Sequence, residues 1–361
     1  MIKSKIRIGD QWITLSDLST INTETVTDQE KKVIALCKAW LSNQSVFEFH
    51  TSGSTGIPKK ITFARNQLIQ SAKLTEQAIH LQKEFTSLVC LDATFIAGAL
   101  MVIRSLVTEM NMIITSPSAN PLINIDQPID FVALVPYQLM TILEEDYKNL
   151  NSVKTIIIGG ATLRYETIQS LQQFNTNFYA TYGMTETITH IALQKLNGAD
   201  RQDFFKVLPG IKISVDDREC LVIQADHLGK DPITTNDIVT LLDKDKFQWI
   251  GRYDQVINTG GVKVHPEKIE RALEIVFHEL NINHRFFVSG VSDTKLGEHV
   301  ALVMEGPSPD QETTQKIKST LELYLKRYEI PKSVLSIERF VETLTQKIDR
   351  IATINAIQHS K

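Results

Sequence analysis

Thr51-Ser52-Gly53-Ser54-Thr55-Gly56-Ile57-Pro58-Lys59-Lys60 decides how the rest of the chain is read. Hydroxyls and glycines are too dense in it for packing. Ahead of it Val46-Phe47-Glu48-Phe49-His50 alternates apolar and polar as a strand does, and behind it Ile61-Thr62-Phe63 is short and β-prone, which predicts a tight loop between two strands. Gly53 and Gly56 permit close backbone approach to a ligand, while Ser52, Ser54, Thr55 and the backbone amides can donate to phosphate oxygens. Lys59 and Lys60 add positive charge. A flexible Ser/Gly linker needs neither lysines nor a proline nor flanking strands. Nor is it a Walker loop, because Gly-x-x-x-x-Gly-Lys-[Ser/Thr] is absent and a strand follows at once.

With 361 residues, 42% of them hydrophobic, the chain can bury a substantial core and is long enough for about two domains. The formal charge is only −4 and no lysine/arginine stripe is present, so nucleic acid is not an expected partner. Cys37, Cys90 and Cys220 are far apart and never form Cys-x-x-Cys, which argues against a disulfide framework or a zinc site and predicts reduced thiols in a cytoplasmic protein. Met1 to Arg7 carries charge with no apolar run behind it, so no signal peptide is expected. The most apolar stretch, Phe95 to Val107, is too short to span a bilayer and contains Arg104, so no membrane insertion is expected.

Strand and helix patterns alternate through the first half of the chain. Leu68, Ala72, Thr75, Ala78 and Ile79 mark a helix, Phe131 to Leu134 a buried strand, Pro136 the first turn of the next helix, and Thr155-Ile156-Ile157-Ile158 a strand apolar on both faces. The pattern predicts an α/β protein with a mixed, largely parallel sheet flanked by helices. From Phe204 to Ile250 short strands and turns predict a small antiparallel subdomain. Gly251-Arg252-Tyr253-Asp254 reads as a boundary, dividing a large domain, 1–251, from a small α+β domain, 252–361.

A second motif, Tyr182-Gly183-Met184-Thr185-Glu186, follows the predicted strand Asn177 to Thr181, where open α/β sheets bind ligands. Tyr182 can stack on a purine, Gly183 lets the chain turn, Thr185 offers a hydroxyl to a phosphate, and Glu186 offers an oxygen to magnesium. A Tyr-Gly turn ahead of a helix N-cap would use the same residues. His50, His190 and His265 have no metal-ligand spacing and read as structural or surface residues.

The hydroxyl-rich loop, the Tyr182 motif and the long stretch Gly251 to Glu267, in this order, resemble the AMP-forming, adenylate-forming superfamily of acyl- and aryl-CoA synthetases, luciferases and peptide-synthetase adenylation domains. The resemblance runs from about Phe47 to Arg350. It implies that Thr51 to Gly56 and Lys59 bind ATP phosphates and that the Gly159-Gly160-Ala161 turn faces adenine. By the same resemblance Asp237, in Thr234-Thr235-Asn236-Asp237, holds the ribose hydroxyls, and Arg252 contacts ribose or phosphate. The resemblance further implies a mobile small domain with Asp254 as hinge, Gly260-Gly261 facing a tunnel for the CoA thiol arm, and Lys347 bridging carboxylate and α-phosphate. Two positions depart from the family pattern: Asn236 and Gln346 stand where glycine is usual.

The implied chemistry has two halves: attack of a carboxylate on Mg-ATP to give an acyl-adenylate, then displacement of AMP by a thiol, with CoA as co-substrate. Thr185, Glu186 and Lys347 would be the catalytic residues, Glu186 also the magnesium ligand. The short segment before the loop is similar to a short form of the o-succinylbenzoate-CoA ligases of menaquinone biosynthesis, and Gly98 and Arg104 keep that group's spacing, with Phe95 near its aromatic position, which implies an acid site. The alternatives are an adenylation enzyme loading a carrier-protein thiol, a CoA ligase for another aryl acid, and a nucleotide-binding regulatory protein. The oligomeric state, a homo-oligomer included, is left open.

Overall fold

The structure is a computed structural model and describes residues 4–50, 60–145, 147–342 and 348–359. Among these, the largest sheet has thirteen strands. Its parallel part runs, in spatial order, Lys5–Ile8, Asn111–Ile114, Thr86–Val89, Ile129–Leu134, Val153–Ile158 and Asn177–Gly183. Ile156, Ile157 and Ile158 are all buried, as a strand covered by helices on both faces requires. Chain order reverses at Thr86–Val89: the next strand lies on one side of it and the one after that on the other. Such a reversal opens a crevice beyond the carboxyl ends of the strands.

Two helices close one side of that crevice. Ile96–Val107 is apolar on every face and buried from Gly98 to Leu106, so it is a core helix, packed against Arg65–Ile79. Pro136 opens the helix Pro136–Glu145, where its missing N–H costs nothing. The expected helix from Tyr165 is present as Tyr165–Ser170 and a 3-10 turn, Leu171–Gln173.

The antiparallel strands beyond the parallel part do not form a sheet of their own. His190–Lys195 pairs with Asn177–Gly183, and Phe205–Val207, Lys246–Arg252, Ile233–Asp243, Cys220–Gln224 and Lys212–Val215 continue the same sheet outward. The separate hairpin Val46–His50/Lys60–Ala64 flanks the hydroxyl-rich stretch on both sides.

Downstream of Arg252 a second, five-stranded sheet forms. It includes the hairpin Ile257–Thr259/Val262–Val264, whose two-residue turn is Gly260 (φ +59°) and Gly261 (φ +83°), both in the left-handed region that a tight hairpin turn demands. Ile269, Leu273, Val276, Leu302 and Ile317 form a core under the helices Pro266–Glu279 and Gln311–Leu321, separate from the cores of the large sheet. The helix Pro266–Glu279 meets the larger unit through hydrogen bonds: Arg271 Nη2 donates to the Ile250 carbonyl of the large sheet at 2.8 Å, and the N–H of Tyr165, at the start of the helix Tyr165–Ser170, donates to Glu274 at 2.9 Å. Cys37, Cys90 and Cys220 are free thiols, all buried.

Candidate nucleotide and acid site

A cleft of about 400 Å³ opens at the strand-order reversal. Its lining includes the carboxyl ends of four parallel strands and the segments that follow them: Leu91 and Asp92, Val135, Gly159 and Gly160, and Gly183 to Thr185. The helix start Phe95 to Gly98, with Leu100 and Arg104 further along, forms the opposite wall. Gly98 fits because a Cβ there would collide with the backbone carbonyl of Leu91 at 2.5 Å. Of the expected site residues, Gly160, Gly183, Thr185, Phe95, Gly98 and Arg104 all face this one space. The residues Thr51 to Lys59 and Lys347 lie outside the described residues. The strand that leads into the loop ends beside the cleft, where the His50 N–H donates to the Thr94 carbonyl at 3.3 Å.

Beside the cleft wall at Thr181 and Gly183, Tyr182, Asp237 and Arg252 converge. Tyr182 and Gly183 are the last residues of their strand rather than residues after it. The Tyr182 hydroxyl donates to Asp237 Oδ2 at 2.7 Å, and its ring packs edge-on to Phe247 and beside Phe205. Trp249 Nε1 donates to the other Asp237 oxygen at 3.1 Å, and Arg252 Nη1 stands 3.8 Å from it. Burial first, and the Asp237 charge second, push the Tyr182 phenol upward, so it stays a donor. Arg252 also grips Asp254 with Nε and Nη2, each at 3.1 Å. Trp249 was not among the expected residues. Its only signal was its place two positions before Gly251, and nothing in a strand pattern says which side chain an indole will meet.

Below this group Thr185 to Thr187 form a 3-10 turn with Glu186 exposed beside the cleft mouth. A single exposed carboxylate fits magnesium, which keeps most of its waters and binds one or two carboxylates plus substrate phosphates. Gly260 and Gly261 are exposed at the tip of their hairpin.

The other side of the cleft is built around Arg104, only 3% exposed. Its Nε donates to Thr75 Oγ1 at 3.3 Å and its Nη2 to Thr189 Oγ1 at 2.5 Å, while Nη1 meets only the Met101 sulfur at 4.0 Å. Among the described residues no carboxylate pairs with it. Burial lowers its pKa to about 10, which still leaves it charged at neutral pH. His190 bridges the two hydroxyls, Nε2 3.2 Å from Thr75 and Nδ1 3.4 Å from Thr189. Burial, and then the Arg104 charge, hold His190 well below its usual range and so neutral. His190 is therefore a buried structural residue in the cleft wall, the first of the two roles, structural or surface, that the sequence left open.

These geometries agree with what the chain is similar to. The pattern of the family of AMP-binding enzymes matches residues 5–229. The 2-succinylbenzoate–CoA ligase of Lactococcus lactis is 23% identical over 92% of this chain and 78% of that protein; its Salmonella typhimurium counterpart is 24% identical over 81% and 65%. The chain thus spans less than two thirds of the latter's length. Among solved structures, an acyl-CoA synthetase (AMP-forming)/AMP-acid ligase II-like protein from Dyadobacter fermentans is 36% identical, covering 94% of this chain and 97% of its own, with a TM-score of 0.64. An o-succinylbenzoate coenzyme A synthetase from Bacillus subtilis, solved with ATP and magnesium, shares the fold at 18% identity and a TM-score of 0.67, over 85% of this chain and 69% of its own.

Proposed function

Because this chain belongs to the family of AMP-binding enzymes, we propose that it is an AMP-forming acid–thiol ligase that adenylates a carboxylic acid with Mg-ATP and passes the acyl group to CoA, with o-succinylbenzoate as the acid. The observation that carries this reading is the buried Arg104, without a carboxylate partner among the described residues, in a cleft whose wall at Thr181 and Gly183 is flanked by the Tyr182, Asp237 and Arg252 cluster. A dicarboxylic acid would place one carboxylate at the nucleotide side for activation and the other on Arg104. The names of the curated relatives support that choice of acid.

In this proposal Thr51, Ser52, Gly53, Ser54, Thr55, Gly56, Lys59 and Thr185 hold the phosphates, and Asp237 and Arg252 the ribose. Glu186 would hold magnesium, which when bound neutralises phosphate charge. Lys347 would supply a cation between carboxylate and α-phosphate. The units 1–251 and 252–361 would rotate about Asp254 between the half-reactions, bringing Gly260 and Gly261 to the thiol path. Rate enhancement in the first half would come from positioning and charge neutralisation. The protein would act in the cytoplasm.

ATP–pyrophosphate exchange over a panel of carboxylic acids, followed by addition of CoA, tests the assignment. Exchange with o-succinylbenzoate, and AMP with a thioester once CoA is present, is the expected result. Exchange with a different acid would replace the substrate, a thioester formed only on a carrier protein would replace the acceptor, and no exchange with any acid would overturn the ligase.

A further inference from the structure

Arg104 has five N–H donors, and the described residues supply oxygen acceptors for two of them. A third meets only the Met101 sulfur at 4.0 Å, and two donors of a buried cation in the cleft wall have no partner among the described residues. Both acceptors are uncharged hydroxyls, so the side chain is oriented without being neutralised. Carboxylate partners would have oriented it as well, but would have cancelled the charge.

The hydrogen bonds of the cradle close on themselves with a neutral histidine. The Thr75 hydroxyl donates to the Ser71 carbonyl at 3.3 Å, which leaves its two lone pairs for Arg104 Nε and a protonated Nε2 of His190. The Thr189 hydroxyl accepts from Arg104 and has its proton free for the bare Nδ1 of His190. A second cation on the ring would face the Arg104 charge.

The backbone is bent to deliver Thr189. Ile188 sits at φ +66°, ψ −52°, and the Thr189 N–H donates to the Thr187 carbonyl at 2.7 Å, which is a γ-turn. A β-branched residue with positive φ is strained, and such strain persists only where its surroundings fix it. Here the Thr187 hydroxyl accepts from the Met184 N–H at 2.9 Å, and Gly183 lets the turn come so close that a Cβ would stand 2.5 Å from the Thr189 carbonyl oxygen. A bulge between His190 and Ala192 follows at once.

We propose that Thr75, Thr189 and His190 are positioning residues that form a charge-neutral cradle for Arg104, and that this cradle sets selectivity for substrates carrying a second carboxylate. This rests on the ligase function proposed above and goes further by naming the residues that make the cation available. Their contribution falls on substrate binding, because the second carboxylate is far from the bond being made.

The test compares o-succinylbenzoate with its two monomethyl esters in ATP–pyrophosphate exchange, for the wild type, Thr189→Val, Thr189→Ser and Thr75→Val. Wild type is expected to favour the diacid over either ester. Thr189→Val and Thr75→Val are expected to raise the diacid KM about tenfold, the loss of one hydrogen bond to a charged group, with kcat and the KM for ATP unchanged. Thr189→Ser is expected to restore the wild-type value, which a purely steric role of the threonine would not do. Equal losses for diacid and ester, or no change at all in Thr189→Val while the wild type prefers the diacid, would overturn the cradle and leave the ligase function standing. A wild type that exchanges with no acid would instead remove the function on which the cradle rests.

Discussion

The two sides of the cleft treat charge in opposite ways. Asp237 meets Tyr182, Trp249 and Arg252, and Arg252 in turn meets Asp254, so each of these three charges has an opposite or a donor already in place. Arg104 is more deeply buried and meets only uncharged partners, two hydroxyls and a thioether sulfur. A paired side stays folded as it is and exchanges partners when ligand arrives. An unpaired buried cation is costly in the free protein, and that cost is offset only when an anion enters. On the proposed function, the difference would separate a side for a polar ligand that keeps some water from one for a single desolvated carboxylate.

The largest expected effect lies on neither side. Lys347→Ala should slow adenylation about a hundredfold or more, because the group proposed at the developing charge is lost. CoA transfer from preformed acyl-adenylate should survive, and rapid-quench measurement of both half-reactions checks this. Equal loss in both would take Lys347 out of the role and leave the paired side to carry the charge.

Arg104→Met sharpens the contrast most directly. The diacid KM should rise about thirtyfold, given charge-assisted bonds of about 1.5–3 kcal/mol, while the KM for ATP holds. Unfolding in urea should show the variant more stable than wild type, by about 1 kcal/mol, because an unpaired buried charge has gone. A destabilised variant would mean that Arg104 is compensated after all.

Asp254→Pro tests the side where charges are paired. Proline fixes φ near −65° and so should permit one orientation of the second unit and impede the other. Adenylation is expected to continue while thiol transfer falls on the order of tenfold, about 1.4 kcal/mol of barrier. Loss of both halves in a folded variant, or of neither, would count against Asp254 as the pivot.

The smallest effect is on stability. His190 is depressed well below 6.5 in the folded protein, so below that pH the unfolded chain binds a proton that the folded one refuses. The stability it contributes is whole above about pH 6.5 and is lost as the pH falls. At pH 6 part of that stability should already be gone, and His190→Gln should lack this loss. Urea unfolding of both proteins at pH 6 and pH 7.5 reads the difference, and identical slopes would mean that His190 is not held neutral.

Much of this architecture was legible because it is local. Ile156 to Ile158 read as a buried parallel strand from composition alone, and Pro136 marked a helix start that the structure keeps. The contacts that distinguish the two sides were not legible, because they join residues remote in sequence. Thr75 and His190 are 115 positions apart, and no period links them. Ile188 gave the opposite signal, since a β-branched residue predicts extended backbone and here it turns. The antiparallel stretch was recognised as such, but its merging with the parallel strands depends on the pairing of Phe205–Val207 with both its neighbours, which a local pattern does not encode.

The sealed thiols give the chain a use as a spectroscopic instrument. Burial pushes Cys37 and Cys90 up to about 12, so at neutral pH only about one molecule in a hundred thousand presents either as the reactive thiolate, and Cys220 is covered as well. Glu166 and His278, both more than half exposed, face each other at 3.4 Å, one from the large sheet's helices and one from the second unit. Cysteines placed there, Glu166→Cys and His278→Cys, would accept a dye pair without removal of any native thiol. Their separation would then report, turnover by turn, whether the second unit leaves this face when the thiol is added.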